Sequence, residues 1–211
     1  MTTLPSRDRI LEAAVRVYGA HGFRGATTRR IAEAAGVNEV TLFRTFGSKA
    51  ALIDAAIRNR AGLEDIAHLP ADPLNPVAEL TAWANAIYTH MRRRRSMIRK
   101  CMSEMEERPE MSGAACEGPT WANRELRDYL QRVQAVGLAA PGVETGVPAT
   151  MLMSSLFGDA MGRDMMPSIY PPASLAAEQY VRVIARALGI PVTARPAKRT
   201  ATSRAASAPT S

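Results

Sequence analysis

The chain has 211 residues, of which 46% are hydrophobic and 22% charged, with a formal net charge of +7. That length accommodates one or two ordinary hydrophobic cores, and the apolar content excludes a wholly disordered chain. No uninterrupted apolar run reaches the roughly eighteen residues of a membrane span, and the charged start MTTLPSRDRI lacks the apolar segment of a signal peptide, so a cytoplasmic protein is expected.

The charge is unevenly distributed. Residues 1–60 carry ten Lys/Arg against five Asp/Glu, a local balance of +5. Residues 61–190 balance to −2, and residues 191–211 to +4. A basic head on a near-neutral body suits a module that meets a polyanion, either nucleic acid or an acidic membrane surface. Cys101 and Cys116 are the only cysteines, and their spacing matches no zinc or redox motif. Two reduced thiols are expected, with a disulfide sensor as the alternative.

Apolar residues recur at helical spacing along nearly the whole chain, with no convincing strand alternation. From about Ser6 to His21, Ile10, Ala14, Val17 and Tyr18 share one face, and Gly22 and Gly25 end this first helix. Short helices follow at about 28–35, stopped by Gly36, and 38–46. Ser48 is a natural N-cap for a fourth helix reaching about Ile66. The segment His68 to Pro76 carries three prolines and marks the expected boundary between head and body. Body helices are predicted at about 76–95, 97–107, 120–136, 148–162 and 173–188, separated by Gly/Pro-containing loops at 108–119, 137–148 and 167–172. Residues 191–211 are rich in Ala, Ser, Thr, Pro and basic side chains, the composition of a disordered tail.

The informative stretch is Thr27 to Leu52, TTRRIAEAAGVNEVTLFRTFGSKAAL. Ile31, Ala32 and Ala35 form the buried face of its first helix, and small alanines allow close helix approach. Gly36 supplies the positive φ of a sharp turn, Val37 fills the corner, and Leu42 and Phe46, four apart, anchor the second helix. Asn38 suits the N-cap. The opposite face, with Glu39, Val40, Phe43 and Arg44, is then free to enter a major groove, as in a helix-turn-helix.

These residues resemble the tetracycline-repressor (TetR) family of bacterial transcriptional regulators. The resemblance runs from Arg9-Ile-Leu-Glu-Ala-Ala through His21-Gly-Phe, Ile31-Ala-Glu-Ala-Ala-Gly-Val and Thr41-Leu-Phe-Arg-Thr-Phe to Ser48-Lys-Ala-Ala-Leu and Ile53. It implies an all-α fold: a helix-turn-helix DNA-binding domain at 1–66, a helical effector-binding and dimerisation domain at 67–190, and the basic tail. DNA contacts are then expected from Thr27, Thr28, Arg29, Asn38, Glu39, Val40, Thr41, Phe43, Arg44 and Lys49. Thr28 matches a phosphate-binding position, with helix N-capping as its other reading. Arg29 can pair with guanine or contact phosphate, Glu39 can accept from a cytosine amino group, and Val40 can touch a thymine methyl. Lys49 matches a phosphate-contacting lysine. Phe43 stands where the family usually has tyrosine, and Val40 where many members have glycine, so an operator borrowed from a relative does not transfer.

The same resemblance implies homodimers formed by the last two long helices, through Leu152, Leu156, Phe157, Tyr180 and Ile184, with packing inside one subunit as the alternative. It also implies a ligand cavity between about 76 and 136. Trp83, Tyr88, Met91, Met97, Met102, Met105, Trp121 and Tyr129 lie there and suit a plastic apolar pocket for a hydrophobic or aromatic small molecule. The run Arg92 to Arg95 fans around a helix axis and reads as solvated or ion-paired surface, with an inter-domain or DNA-proximal role as the alternative. No phosphate loop, metal-ligand cluster or nucleophile elbow points to an enzyme, and no cofactor or metal is implied. The expected partners are operator DNA, a second copy of the chain and a small effector. A regulator that senses nothing, or an architectural DNA-binding protein, is the competing class.

Overall fold

A computed structural model describes residues 6–59 and 68–192. The described residues fold as helices, with two short 3-10 turns at Pro109–Met111 and Pro167–Ile169. In order these are α1 (Ser6–Gly25), α2 (Thr28–Ala35), α3 (Glu39–Phe46), α4 (Lys49–Arg58), α5 (Pro76–Arg93), α6 (Arg95–Glu104), α7 (Ser112–Ala135), α8 (Gly146–Gly162) and α9 (Ala176–Ala187). None of them is long and apolar enough to cross a membrane. The expected end of α4 near Ile66 and nearly all of the expected basic tail lie outside the described residues.

The caps of the head follow from single residues. Thr27, extended at φ −70° and ψ 149°, caps α2 by accepting from the Arg30 N–H. It is therefore Thr27, not Thr28, that holds the N-cap. Asn38 caps α3 through the Val40 N–H at 2.9 Å, and Ser48 caps α4 through the Ala51 N–H at 3.1 Å. Gly36, at φ 65° and ψ 40°, ends α2 in the left-handed region, and its N–H and that of Val37 take up the carbonyls of Glu33 and Ala32.

Two hydrophobic clusters divide the molecule. Ile10, Leu11, Tyr18, Ile31, Leu42, Leu52 and Ile53 form the head core. Leu80, Trp83, Ile87, Leu126, Tyr129, Leu130, Leu152, Leu156, Val181 and Ile184 form the body core. The head core is not closed by the head alone: Met97, Cys101 and Met111 from the body complete it. Helix α1 packs along α6 more extensively than along any other element. Close approach is possible because Gly19 faces the α6 backbone; a Cβ there would stand 2.9 Å from the Met97 nitrogen.

Three local expectations change. Helix α1 continues past His21 to Gly25, across a kink at Gly22 (φ 66°, ψ −177°), because the Phe23 N–H just after the kink is held by Glu104 of α6. The predicted loop at 108–119 is largely helix, since α7 starts at Ser112 and carries Pro119 inside it. That proline lacks the N–H that would bond the Ala115 carbonyl, a local cost that the burial of Ala114, Ala122 and Leu126 offsets. Helix α9 begins at Ala176 rather than near 173, after an extended Tyr170.

The body is stapled by a buried polar network. Asp159, fully buried on α8, accepts from Tyr88 of α5 at 2.7 Å, from Tyr180 of α9 at 2.8 Å and from Arg163 at 2.6 and 2.7 Å. Every strong acceptor site of the carboxylate is used, which is the condition for a buried charge to be tolerated.

Candidate DNA-binding face and effector cavity

On the head, α3 turns an apolar and basic strip outward. Val40 is 71% exposed and Phe43 46% exposed, while Leu42 on the opposite face is fully buried. Arg44 is exposed beside them and Thr41 is half-buried, its carbonyl occupied by the Thr45 hydroxyl. Val40 and Phe43, three apart, thus share one outward apolar face of this short capped helix. Arg29 is also exposed, and at rest its guanidinium pairs with Glu33 at 3.0 Å. Such an exposed pair contributes little to stability and is readily exchanged for a phosphate or base.

Three expected DNA contacts are engaged elsewhere in the free chain. The Thr28 hydroxyl donates to Glu39, tying α2 to the first turn of α3. It follows that Thr28 and Glu39 act as one unit, and that reading a base with Glu39 involves the hydroxyl assigned to phosphate. Lys49 folds back over Phe23, with its Nζ 4.4 Å from the ring centroid and 3.3 Å from the Arg24 carbonyl. Partial burial, and then the Arg108 guanidinium near the same ring, lower its pKa.

This corner is also where body meets head. Glu104, at the end of α6, accepts from the Tyr18 hydroxyl at 2.9 Å and from the Phe23 N–H at 3.0 and 3.2 Å. A second joint lies at Arg94, whose guanidinium donates to the Ala56 and Asn59 carbonyls at the end of α4. The arginine run thus divides by helix geometry. Arg92 lies over the Tyr88 ring, Arg93 is exposed, Arg95 pairs with Asp164 at 2.8 Å, and Arg94 takes the inter-domain role.

Between the end of α4 and helices α5 to α8 lies a cavity of about 800 Å³. Met91, Met97, Met102, Met105 and Trp121 line it, as expected. Trp83, Tyr88 and Tyr129 do not. Trp83 is buried in the body core, Tyr88 is committed to Asp159, and the Tyr129 hydroxyl donates to Glu79. An aromatic at the right place in sequence is divided between core and cavity by the helix face it falls on, which periodicity alone did not resolve. Residues that sequence reasoning missed include Met153 and Phe157 of α8, Cys101, His90 and Arg94. Spacing on α5 was the available signal for two of these, since His90 and Arg94 are four apart and flank Met91 (Met91 itself was recognised).

The residues expected at a dimer interface are also redistributed. Leu152 and Leu156 are fully buried in their own chain and Ile184 nearly so; Tyr180 binds Asp159, and Phe157 lines the cavity. Packing inside one subunit accounts for Leu152, Leu156 and Ile184, while Phe157 and Tyr180 stay half-buried in the single chain. The apolar side chains that α8 and α9 leave outward are Val147, Met151 and Val183, exposed by 62%, 55% and 60%.

Residues 10–56 match the family model of bacterial regulatory proteins, tetR family. The HTH-type transcriptional regulator YvkB of Bacillus subtilis is 28% identical over 158 residues, covering 73% of this chain and 80% of YvkB. The HTH-type transcriptional repressor AcnR of Corynebacterium efficiens is 45% identical over 56 residues, 26% of this chain and 30% of AcnR. Among solved structures, the fatty acid degradation regulator FadR of Bacillus halodurans superposes with a TM-score of 0.68 at 18% identity, over 87% of this chain and 96% of FadR. At that identity the likeness extends to the fold.

Proposed function

We propose that this chain, which over residues 10–56 is similar to the tetR family of bacterial regulatory proteins, is a DNA-binding transcriptional regulator of that kind, acting as a homodimeric repressor released from a palindromic operator by a small hydrophobic or aromatic effector. One observation carries the reading. The cavity is walled at once by the last turn of α4, which belongs to the head, and by body helices α5 to α8. A ligand that enlarges or tightens it acts directly on the position of the DNA-binding domain, which is what linkage between two sites requires. Its methionines and Trp121 supply an adaptable apolar wall.

A head at residues 1–66 and a body at 67–190 remain the working division, with Met97, Cys101 and Met111 bridging the two. DNA contacts are assigned to the strip Val40, Phe43 and Arg44, together with Arg29, Thr28–Glu39 and Lys49. Val147, Met151 and Val183 supply an outward apolar surface on α8 and α9 for pairing of two copies. Two recognition helices in a two-fold dimer reach half-sites about 34 Å apart.

Footprinting on genomic fragments bound by the full chain tests the proposal, alongside sedimentation to give the stoichiometry. A discrete inverted repeat occupied by two chains supports it. Uniform protection with a steep salt dependence would instead identify a non-specific architectural protein.

A further inference from the structure

The cavity carries charge of one sign that an apolar effector would leave unanswered. Arg58, Arg94, Arg124 and Arg127 line it, and none of the described lining residues is an aspartate or glutamate. Arg58 is neutralised from outside the wall by Asp54 and Glu117. Arg124 and Arg127, three apart on α7 and both exposed, stand at the rim. Neither has a salt bridge among the described residues, although Arg127 feels the field of Glu144.

Arg94 lies deeper. Its terminal nitrogens are held by the Ala56 and Asn59 carbonyls, and its Nε is buried with no hydrogen-bond partner among the described residues. A guanidinium with a buried Nε that meets only helix-end carbonyls and the Met97 sulfur receives about half a compensating charge. Burial lowers its pKa to about 10, so it stays charged at neutral pH. Neighbouring His90 is pushed by burial, and then by Arg94 and Arg93, down to about 4 and is neutral there. The positive field in the cavity therefore comes from the arginines, while Met91, Met102, Met105, Met153, Trp121 and Phe157 make the rest of the wall apolar.

We infer that the effector is an amphipathic anion, with its apolar body against the methionines and Trp121 and its carboxylate or phosphate received by Arg94, with Arg124 and Arg127 at the rim. The inference rests on the reading of this cavity as the effector site and adds the chemical class of the ligand. It also assigns Arg94 a switching role, because an anion bound there competes with the Ala56 and Asn59 carbonyls for the guanidinium that holds the end of α4.

Titration calorimetry on the full chain tests this with four chain-matched probes below their micellar concentrations: dodecanoate, dodecyl phosphate, 1-dodecanol and dodecyltrimethylammonium. The two anions are expected to bind roughly 10- to 100-fold more tightly than the alcohol, the range of a charge-assisted hydrogen bond, and the cation not measurably. Arg94→Gln should abolish the preference for anions over dodecanol, and Arg94→Lys should retain part of it. The rim variant R124Q/R127Q alters exposed residues only and should reduce anion affinity without lowering the melting temperature. If alcohol, anions and cation bind alike, the anionic inference fails and the apolar effector site stands. If no probe binds the wild-type chain, the effector-site reading fails with it. Preference for carboxylate over phosphate, or the reverse, separates the two anionic sources, and either supports the inference.

Discussion

Replacing Gly22 by alanine is expected to destabilise the fold by about 3–5 kcal/mol, through two effects that can be separated. Gly22 sits at φ 66° and ψ −177°, a region essentially closed to residues with a Cβ, at a cost of about 1–3 kcal/mol. The added methyl would also overlap the Glu104 carboxylate and stand 3.3 Å from the Lys100 side chain. A glutamate tip is ordinarily easy to displace, but this one is held by the Phe23 N–H and the Tyr18 hydroxyl. Moving it forfeits a hydrogen bond to a charged group, about 1.5–3 kcal/mol. For a chain of this size each kcal/mol lowers the melting temperature by roughly 2–4 °C, so a fall of roughly 6–20 °C is expected by circular dichroism. Gly36→Ala is the control. Its φ of 65° is nearly the same, but its ψ is 40° and no atom lies within 4 Å of the added Cβ, leaving a left-handed penalty of about 1–2 kcal/mol. Glu104→Ala in the Gly22→Ala background should cost less than the two single changes together. Equal destabilisation by Gly22→Ala and Gly36→Ala, or strict additivity with Glu104→Ala, would refute the argument that α6 holds the α1 kink.

Asp159→Ala should cost about 3–5 kcal/mol in urea denaturation, because it removes the buried carboxylate that Arg163 and the hydroxyls of Tyr88 and Tyr180 all share; a loss under about 1 kcal/mol would contradict that. His90 gives a pH signature. Its folded pKa of about 4 lies below the ordinary 6.5, so the unfolded chain binds the proton first. Its contribution is full above pH 6.5 and is lost as pH falls toward 4, on the order of 3 kcal/mol in total. Denaturation curves at pH 7.5, 5.5 and 4.5 should therefore converge for His90→Gln relative to wild type, and parallel curves would exclude the effect. Val40→Ala and Phe43→Ala alter exposed side chains and should change stability by no more than about 0.5 kcal/mol while shifting sequence preference in a binding selection. If Glu39 reads a base as proposed, Thr28→Val, which frees it, should alter sequence preference rather than weaken all sequences uniformly.

The helix-turn-helix was legible because its information is local. Gly36 is where a left-handed residue must stand, Asn38 and Ser48 are caps whose partners lie two or three residues away, and Ile31 and Leu42 define buried faces by spacing alone. Such features depend on chain chemistry within one or two turns, so sequence by itself determined the head and its outward strip at Val40 and Phe43. The all-helical class of the body followed in the same way from periodicity. What only the tertiary structure decided is which of two faces an apolar or charged residue occupies once helices pack. Pro119 sits inside α7 because burial of Ala114, Ala122 and Leu126 outweighs one missing hydrogen bond, a non-local balance invisible in a proline-containing stretch. Tyr88 and Tyr129 left the cavity because Asp159 and Glu79, 71 and 50 residues away, claim their hydroxyls. Arg94 buries its Nε and binds the head where its neighbours in the run do not, because its direction from the α5–α6 corner meets the carbonyl end of α4. Long-range partners of this kind fix the cavity and its charge, and they are set by where helices cross rather than by any residue's own neighbourhood.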